Sequence, residues 1–139
     1  MERKPYFTEI EGERVIFLDY TNILPDEIPI FNQAIKEFLL KCEECKEGEM
    51  FFLADSTGLK YTLKTIRDFT SLSKVTGKYS KATAIYGMTL EIKKLYNAAL
   101  ALAGRSKEQI QIFETKTEAV GWLSRRILEE REKKKKLFE

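Results

Sequence analysis

The segment from Met50 to Gly58 (MFFLADSTG) constrains the fold of this chain more than any other. It begins with an unbroken apolar run, Met50 to Ala54, which is typical of a strand covered on both faces. Small and polar residues, Asp55 to Gly58, follow where such a strand would give way to a helix. In open α/β sheets, ligands and partners gather at the carboxyl ends of the strands. This segment is therefore both the predicted centre of a sheet and the first candidate functional site.

The rest of the chain alternates between strand and helix patterns. Apolar and β-branched runs predict strands at Tyr6–Ile10, Arg14–Asp19, Met50–Asp55, Ala82–Tyr86 and Ile110–Phe113. Apolar residues at helical spacing predict helices over about 28–45, 59–77 and 89–103, and a last helix that begins at a capping box formed by Thr115 and Glu118. Alternating strands and helices imply parallel pairs with right-handed crossovers. We therefore predict an α/β domain of order β-β-α-β-α-β-α-β-α, with a mixed five-stranded sheet, an N-terminal hairpin and four helices.

The helical spacing also predicts which side chains face the core. The predicted inward residues are Leu59, Leu63, Ile66, Thr70 and Ser73 in the second helix, and Ile92, Leu95, Ala99 and Leu102 in the third. Tyr96, Phe69 and Trp122 are interpreted as packing residues. In the Cys42-x-x-Cys45 pair at the end of the first helix, we expect a core Cys42 and a partly exposed Cys45.

Length and composition favour one globular domain. The chain has 139 residues, of which 43% are hydrophobic, and we predict a domain over residues 1–128 with a charged C-terminal helix extension or tail over 129–139. A net charge of +2 lacks the basic excess of a dedicated nucleic-acid binder. No apolar run approaches the roughly 18 residues of a membrane span. The first residues show no signal-peptide pattern, so we expect a cytoplasmic protein.

The chain contains no histidine, which limits the chemistry that it can perform. Histidine is the usual general base near neutral pH and the commonest metal ligand. Ser-His-Asp and Cys-His catalysis are therefore excluded within one chain. Two cysteines alone do not complete a tetrahedral zinc site. We accordingly predict a protein that is not an enzyme, with no catalytic residue, metal or cofactor.

Three short motifs carry a resemblance to a known family. They are Asp55-Ser56-Thr57-Gly58-Leu59, then Ile85-Tyr86-Gly87-Met88-Thr89, and finally Phe113-Glu114 followed by Glu118-Ala119-Val120-Gly121-Trp122-Leu123. Over about residues 5 to 128 the chain resembles the STAS domain (sulfate transporter and anti-sigma-factor antagonist), especially its SpoIIAA-like branch. Family antagonists bind a partner kinase and are switched by phosphorylation of a serine in the loop that the first motif resembles.

The resemblance implies a site at the carboxyl edge of the sheet. The phosphoacceptor position falls on Ser56 or Thr57, within the loop Asp55–Gly58. Asp19, Gly87, Met88 and Thr89 lie on the neighbouring loops and complete the candidate partner-binding set. An alternative interpretation of the residues is that Ser56 or Thr57 caps the second helix. Asp55 lacks the acidic pair that a phosphoaspartate site needs for Mg²⁺, and we interpret it as an acceptor for nearby backbone N–H groups.

Two functions remain open at this point. The preferred one is a non-enzymatic regulatory module that docks a protein partner, such as a kinase or an anti-sigma-like regulator, and is switched by phosphorylation. The alternative, implied by the comparison of this branch with CRAL-TRIO-type domains, is a small apolar ligand or lipid. In that case the basic tail, Lys133 to Lys136, would touch a membrane surface. A homodimer is also compatible with the sequence, and no specific nucleic acid is expected.

Overall fold

The computed structural model describes residues 3–138. Residues 1, 2 and 139, which the predicted domain and tail also include, lie outside the described part. The strands are β1 (Tyr6–Ile10), β2 (Glu13–Asp19), β3 (Met50–Asp55), β4 (Ser80–Tyr86) and β5 (Ile110–Phe113). The helices are α1 (Ile28–Lys41), α2 (Leu63–Tyr79), α3 (Leu90–Leu102) and α4 (Lys116–Leu137), with a short 3-10 helix at Pro25–Glu27. The predicted order of elements is confirmed.

The five strands form one sheet in the order β1-β2-β3-β4-β5. The hairpin strands β1 and β2 are antiparallel, and every later pair is parallel. Three right-handed crossovers that step across a sheet in one direction place their helices on the same face. Accordingly α1, α2 and α3 pack on one face, and α4 turns back over the other. The predicted α/β fold class is confirmed.

The central strand β3 accounts for the apolar run Met50 to Ala54. Phe52 is fully buried on the face covered by α1 to α3, whereas Phe51 and Leu53 point into the layer under α4. Because successive side chains of a strand point to opposite faces, a strand covered on both sides must be apolar at every position.

The third helix is rotated relative to the prediction. Leu95 and Leu102 were expected to face the core, but they are 53% and 92% exposed. Tyr96 and Leu100 are buried instead. Apolar residues of α3 form two stripes one position apart, and both fit a helical period. Packing selects the second stripe, because the Tyr96 ring lies against Phe69 of α2 with 4.4 Å between ring centroids.

The expected exposures of the two cysteines are reversed. Cys45 is buried and Cys42 is only half-buried. The reason is that α1 ends at Lys41, so that Cys45 lies in the following turn, where its N–H donates to the Cys42 carbonyl. Burial, with the neighbouring Cys42, raises the pKa of the Cys45 thiol to about 12, so the thiol stays protonated near neutral pH. Among residues 3–138, no cluster of histidine, cysteine or acidic side chains is arranged to hold a metal ion.

Helix α4 is anchored at both ends. At its start, the Thr115 hydroxyl oxygen accepts the Glu118 N–H, which confirms Thr115 as the cap, but the Glu118 carboxylate accepts from the Thr115 hydroxyl and not from its backbone N–H, so the predicted capping box is only half formed. Towards its end, the carboxylate of Glu130 contacts Arg126 at 3.2 Å, Lys133 at 3.3 Å and Lys81 of β4 at 3.8 Å. The described part of the chain has no helix long and apolar enough to cross a membrane.

Glu130 is expected to make stability depend on pH. Burial by itself raises its pKa, but hydrogen bonds from Arg126 and Lys133 and the charge of Lys81 outweigh it and hold the pKa of Glu130 below its usual value. A carboxylate with a lowered folded pKa stabilises the protein fully above its unfolded pKa of about 4.3, and this contribution is lost as the pH falls through the folded pKa. We expect Glu130→Gln to lower the free energy of unfolding more at about pH 6 than at about pH 3. Urea unfolding at both pH values measures this, and an equal loss at both would contradict it.

Candidate functional site

The carboxyl ends of β2, β3 and β4 bring the predicted loops together. In the register of the sheet, Asp19 is the partner of Asp55, and Asp55 is the partner of Tyr86. These three side chains therefore end adjacent strands on the same face. Burial, followed by the negative charges of Asp55 and Asp19, raises the pKa of the Tyr86 phenol to about 12. The edge thus holds two carboxylates beside a phenol that stays protonated at physiological pH.

Ser56 is turned into the protein. Its side chain is buried, and both its N–H and its hydroxyl donate to the carbonyl oxygen of Tyr86, at 2.9 Å and 2.7 Å. A kinase needs an exposed hydroxyl, so the structure removes Ser56 from the phosphoacceptor candidates. No local pattern distinguishes Ser56 from Thr57, because the direction of each side chain is decided by the contact between β3 and β4.

Thr57 has the opposite position. It is exposed, and its hydroxyl donates to the Asp55 carboxylate at 2.6 Å while its N–H donates to the same oxygen at 3.0 Å. Asp55 therefore organises the loop by accepting a backbone N–H group, as the sequence predicted. Of the two hydroxyls in the loop, the structure leaves Thr57 accessible.

Two glycines let the neighbouring loops approach closely. Gly87 has a φ of +95°, and a Cβ atom there would lie 2.5 Å from the Thr57 hydroxyl oxygen and 2.7 Å from the Thr57 backbone nitrogen. Gly58 also has a positive φ, and a Cβ atom there would overlap the side chain of Asn22. The backbone N–H of Asn22 donates to the Thr57 carbonyl. The loops after β2, β3 and β4 are therefore packed as one unit around Thr57.

The predicted capping role of Ser56 or Thr57 is wrong. Helix α2 begins at Leu63, and its cap is Thr62, which accepts the Thr65 N–H while the Thr65 hydroxyl oxygen accepts the Thr62 N–H. Leu59 is buried in the loop before the helix, not on its first turn. Leu59 packs on the core from the loop, so its helical spacing relative to the residues of α2 was a coincidence. Thr57 lies outside the first turn of α2.

The remaining predicted residues lie around this loop in different environments. Asp19 accepts the Thr21 N–H and is paired with Arg3 at 3.7 Å. Met88 is buried, and Thr89 is exposed at the start of α3. The sequence analysis missed Arg3, whose guanidinium donates to the carbonyls of Asp19 at 2.9 Å and Thr21 at 2.7 Å. Nothing in the local sequence around Arg3 indicates a partner so distant along the chain.

Three exposed leucines lie where the chain enters the helices that follow this edge. They are Leu24 before the 3-10 helix, Leu63 at the first position of α2 and Leu90 at the first position of α3, with exposures of 52%, 76% and 52%. Each follows the carboxyl end of a strand, so the topology places all three on the same side of the molecule as Thr57. Leu63 was predicted to face the core, and its exposure follows from the later start of α2. Apolar residues grouped at the surface of a protein mark interaction sites.

These features define a SpoIIAA-like α/β fold with a packed, partly apolar loop edge. A crystal structure of an uncharacterised protein of the DUF3478 family from Shewanella loihica, described as having a SpoIIAA-like fold, matches this chain with a TM-score of 0.58 and 19% sequence identity. The match covers 86% of this chain and 91% of the other. The predicted resemblance in fold is thereby confirmed. No protein-family model matches the chain, and no curated protein does.

Proposed function

We propose that this protein is a non-enzymatic binding module that docks a protein partner on the carboxyl edge of its sheet. The observation that carries the proposal is the exposure of Leu24, Leu63 and Leu90 on the same edge as the accessible Thr57. Buried centres of interfaces are apolar and poor in charge, and these surface leucines supply apolar area for such a centre. The fold alone does not define the partner, which would be a protein of regulatory type, such as a kinase or an anti-sigma-like regulator.

The packing of the loops favours binding without a large entropic cost. Association loses free energy whenever mobile loops must be ordered at the interface. Here the loop Asp55–Gly58 is already held by hydrogen bonds to Tyr86 and Asn22 and by close contact with Gly87. A partner therefore meets a surface whose shape is set in advance.

Phosphorylation of Thr57 would switch this surface. The modification removes the hydroxyl that donates to Asp55 at 2.6 Å and adds close to two negative charges beside that carboxylate. Because α2 begins only at Leu63, its N-terminus does not lie at Thr57 to offset the repulsion. The modified loop would leave its packed conformation, and a partner that recognises that conformation would be released.

The alternative function, an apolar ligand or lipid held between sheet and helices, has less support. The enclosed space beneath Ser56, lined also by Tyr20, Leu59 and Phe69, measures about 20 Å³. A cavity of that volume holds about one water molecule. A lipid would need this space to expand many-fold.

Partner binding can be tested by affinity capture with matched variants. Purified wild-type protein is immobilised, challenged with an extract of its own cells and eluted for mass spectrometry. We expect at least one protein to be retained by the wild type and by Leu102→Ser, and to be lost with Leu63→Ser and with Thr57→Glu. Leu102 is the control, because it is 92% exposed but lies at the other end of α3, away from the loops.

The proposal is wrong if the retained proteins are the same for the wild type and for both edge variants. The switch is tested separately by intact-mass spectrometry of the protein purified from its own cells. A phosphate-sized addition that maps to Thr57 supports it. An addition on Ser56 alone would contradict the inward orientation of the Ser56 side chain and the choice of Thr57 as the acceptor.

A further inference from the structure

A groove runs along the outer side of α1, and Arg3 in its wall also contacts the loop after β2 at the carboxyl edge of the sheet. Its volume is about 900 Å³, and it is open to solvent. One wall is α1, which contributes Ile30, Ala34 and Phe38, and the other wall is the N-terminal segment Arg3 to Pro5. These α1 residues recur every fourth position and form a stripe along the helix. From Ile30 to Lys41 the helix rises about 17 Å at 1.5 Å per residue.

This stripe is a second apolar face of α1. The first face, with Phe31, Ile35 and Leu39, is buried in the core. A helix at a protein surface needs only one apolar face for its own packing. Ile30 is nevertheless 66% exposed, and Phe38 is only half-buried, where its ring packs on Phe7 of β1 at 5.5 Å between centroids. Ala34 and Phe38 are partly buried against the core, so the apolar surface of the groove that the fold itself does not use is mainly that of Ile30.

The charged residues at the groove are mainly basic. Arg3, Lys4 and Lys41 line it together with a single carboxylate, Glu37. Arg3 is held in place because its guanidinium donates to two backbone carbonyls of the loop that follows β2 and lies 3.7 Å from the Asp19 carboxylate. The cation at this end of the groove is thus ordered, whereas surface lysines normally are mobile.

We propose that this groove binds an amphipathic, acidic α-helix of a partner protein. An apolar stripe with basic flanks is the complement of a helix that carries apolar residues on one face and Glu or Asp beside them. An α-helix with side chains is about 10 Å across, so half of its cross-section over about 17 Å fills roughly 700 Å³. The groove of about 900 Å³ accommodates that volume.

Two other occupants fit less well. A second copy of this chain would have to offer an acidic amphipathic helix, but the exposed end of its longest helix carries Lys133 to Lys136. Like charges would then face each other across the groove. A lipid chain gains most from a closed apolar cavity, whereas this groove is open along its side.

The proposal can be tested with a defined probe. The probe is a fluorescein-labelled peptide of about four helical turns with Leu at helical spacing on one face and Glu on the other, and its binding to the full chain is followed by fluorescence anisotropy. We expect Ile30→Glu and Lys41→Glu each to weaken binding about tenfold or more, because each places a carboxylate against an acidic helix. Leu40→Glu is the matched control on the same helix, since Leu40 is 78% exposed and does not line the groove. Binding should also weaken as salt is added.

Several outcomes would overturn the proposal. The proposal is wrong if the acidic peptide does not bind, or if it binds the wild type and Ile30→Glu equally well. It is also wrong if a peptide with Lys in place of Glu binds as tightly as the acidic peptide. The groove would be assigned to a membrane instead if the protein does not bind the peptide but sediments with vesicles of phosphatidylglycerol and phosphatidylcholine, and if Ile30→Glu abolishes this sedimentation. Concentration-dependent dimerisation that Ile30→Glu abolishes would assign it to a second copy. Leu63→Ser should leave peptide binding unchanged, which separates this proposal from docking at the loop edge.

Discussion

Replacing Gly87 with alanine is expected to destabilise the protein by about 2–4 kcal/mol. The backbone of Gly87 has a φ of +95°, which side chains with a Cβ atom rarely adopt. The added Cβ would also lie 2.5 Å from the Thr57 hydroxyl oxygen and 2.7 Å from its backbone nitrogen. Because the second neighbour is backbone, no rotation of a side chain relieves the overlap, and the loop around Thr57 must move.

Gly104 provides the matched control for this prediction. It too has a positive φ, +78°, but a Cβ atom there meets nothing within 4 Å. The free energy of unfolding of Gly104→Ala should therefore fall only by the cost of the backbone conformation, about 1 kcal/mol. Urea unfolding of both variants measures the difference. Equal losses for the two variants would show that the loops do not pack as described. In the capture experiment, Gly87→Ala should also release a partner that recognises the packed loop.

Shortening Leu123 to alanine is expected to lower the free energy of unfolding by about 2–5 kcal/mol. Leu123 is fully buried in the layer between α4 and the sheet, with Val15 and Leu53 in the same cluster. One face of the sheet has three helices to cover it, but the other has α4 alone. A cavity at Leu123 therefore cannot be filled by a shift of a second helix. The full loss of free energy of unfolding that the cavity causes should be observed.

The control for Leu123 lies on the same helix. Leu128 is 44% exposed, and Leu128→Ala should cost less than about 1 kcal/mol. For a chain of this length, each kcal/mol corresponds to roughly 3–5 °C in Tm. Thermal unfolding followed by circular dichroism distinguishes the two variants. A drop in Tm for Leu123→Ala no larger than that for Leu128→Ala would contradict the packing of α4.

The strands and the cap of α4 were predictable because their signals are local, whereas the cap of α2 was assigned to the wrong residues. The apolar run Met50 to Ala54 has one consistent interpretation, a strand covered on both sides, and it became β3. Thr115 and Glu118 predicted the start of α4 through contacts between residues three apart. The order of strands followed from alternation and from the handedness of crossovers, which hold for any sequence with this pattern.

The site was predictable in place but not in detail. Parallel strands bring their carboxyl ends to one edge, so the loops that contain Asp19, Asp55 and Gly87 could be grouped from the sequence. The sequence could not predict which hydroxyl faces solvent, because Ser56 and Thr57 are chemically alike and differ only in what surrounds them. The exposed leucines at the starts of the helices were also missed, since helical spacing counts apolar residues without showing where a helix begins.

The local sequence pattern was thus sufficient to predict the order of elements, the central strand and the edge of the sheet where the loops meet. Tertiary packing alone decided the rotation of α3, the burial of Ser56 and the accessibility of Thr57. The physical reason is the same in each case. Neighbours in sequence determine the backbone conformation and the period of a helix or strand. The direction in which a side chain points is settled by residues that are distant along the chain, as when Phe69 packs against Tyr96 or the Tyr86 carbonyl accepts the Ser56 hydroxyl.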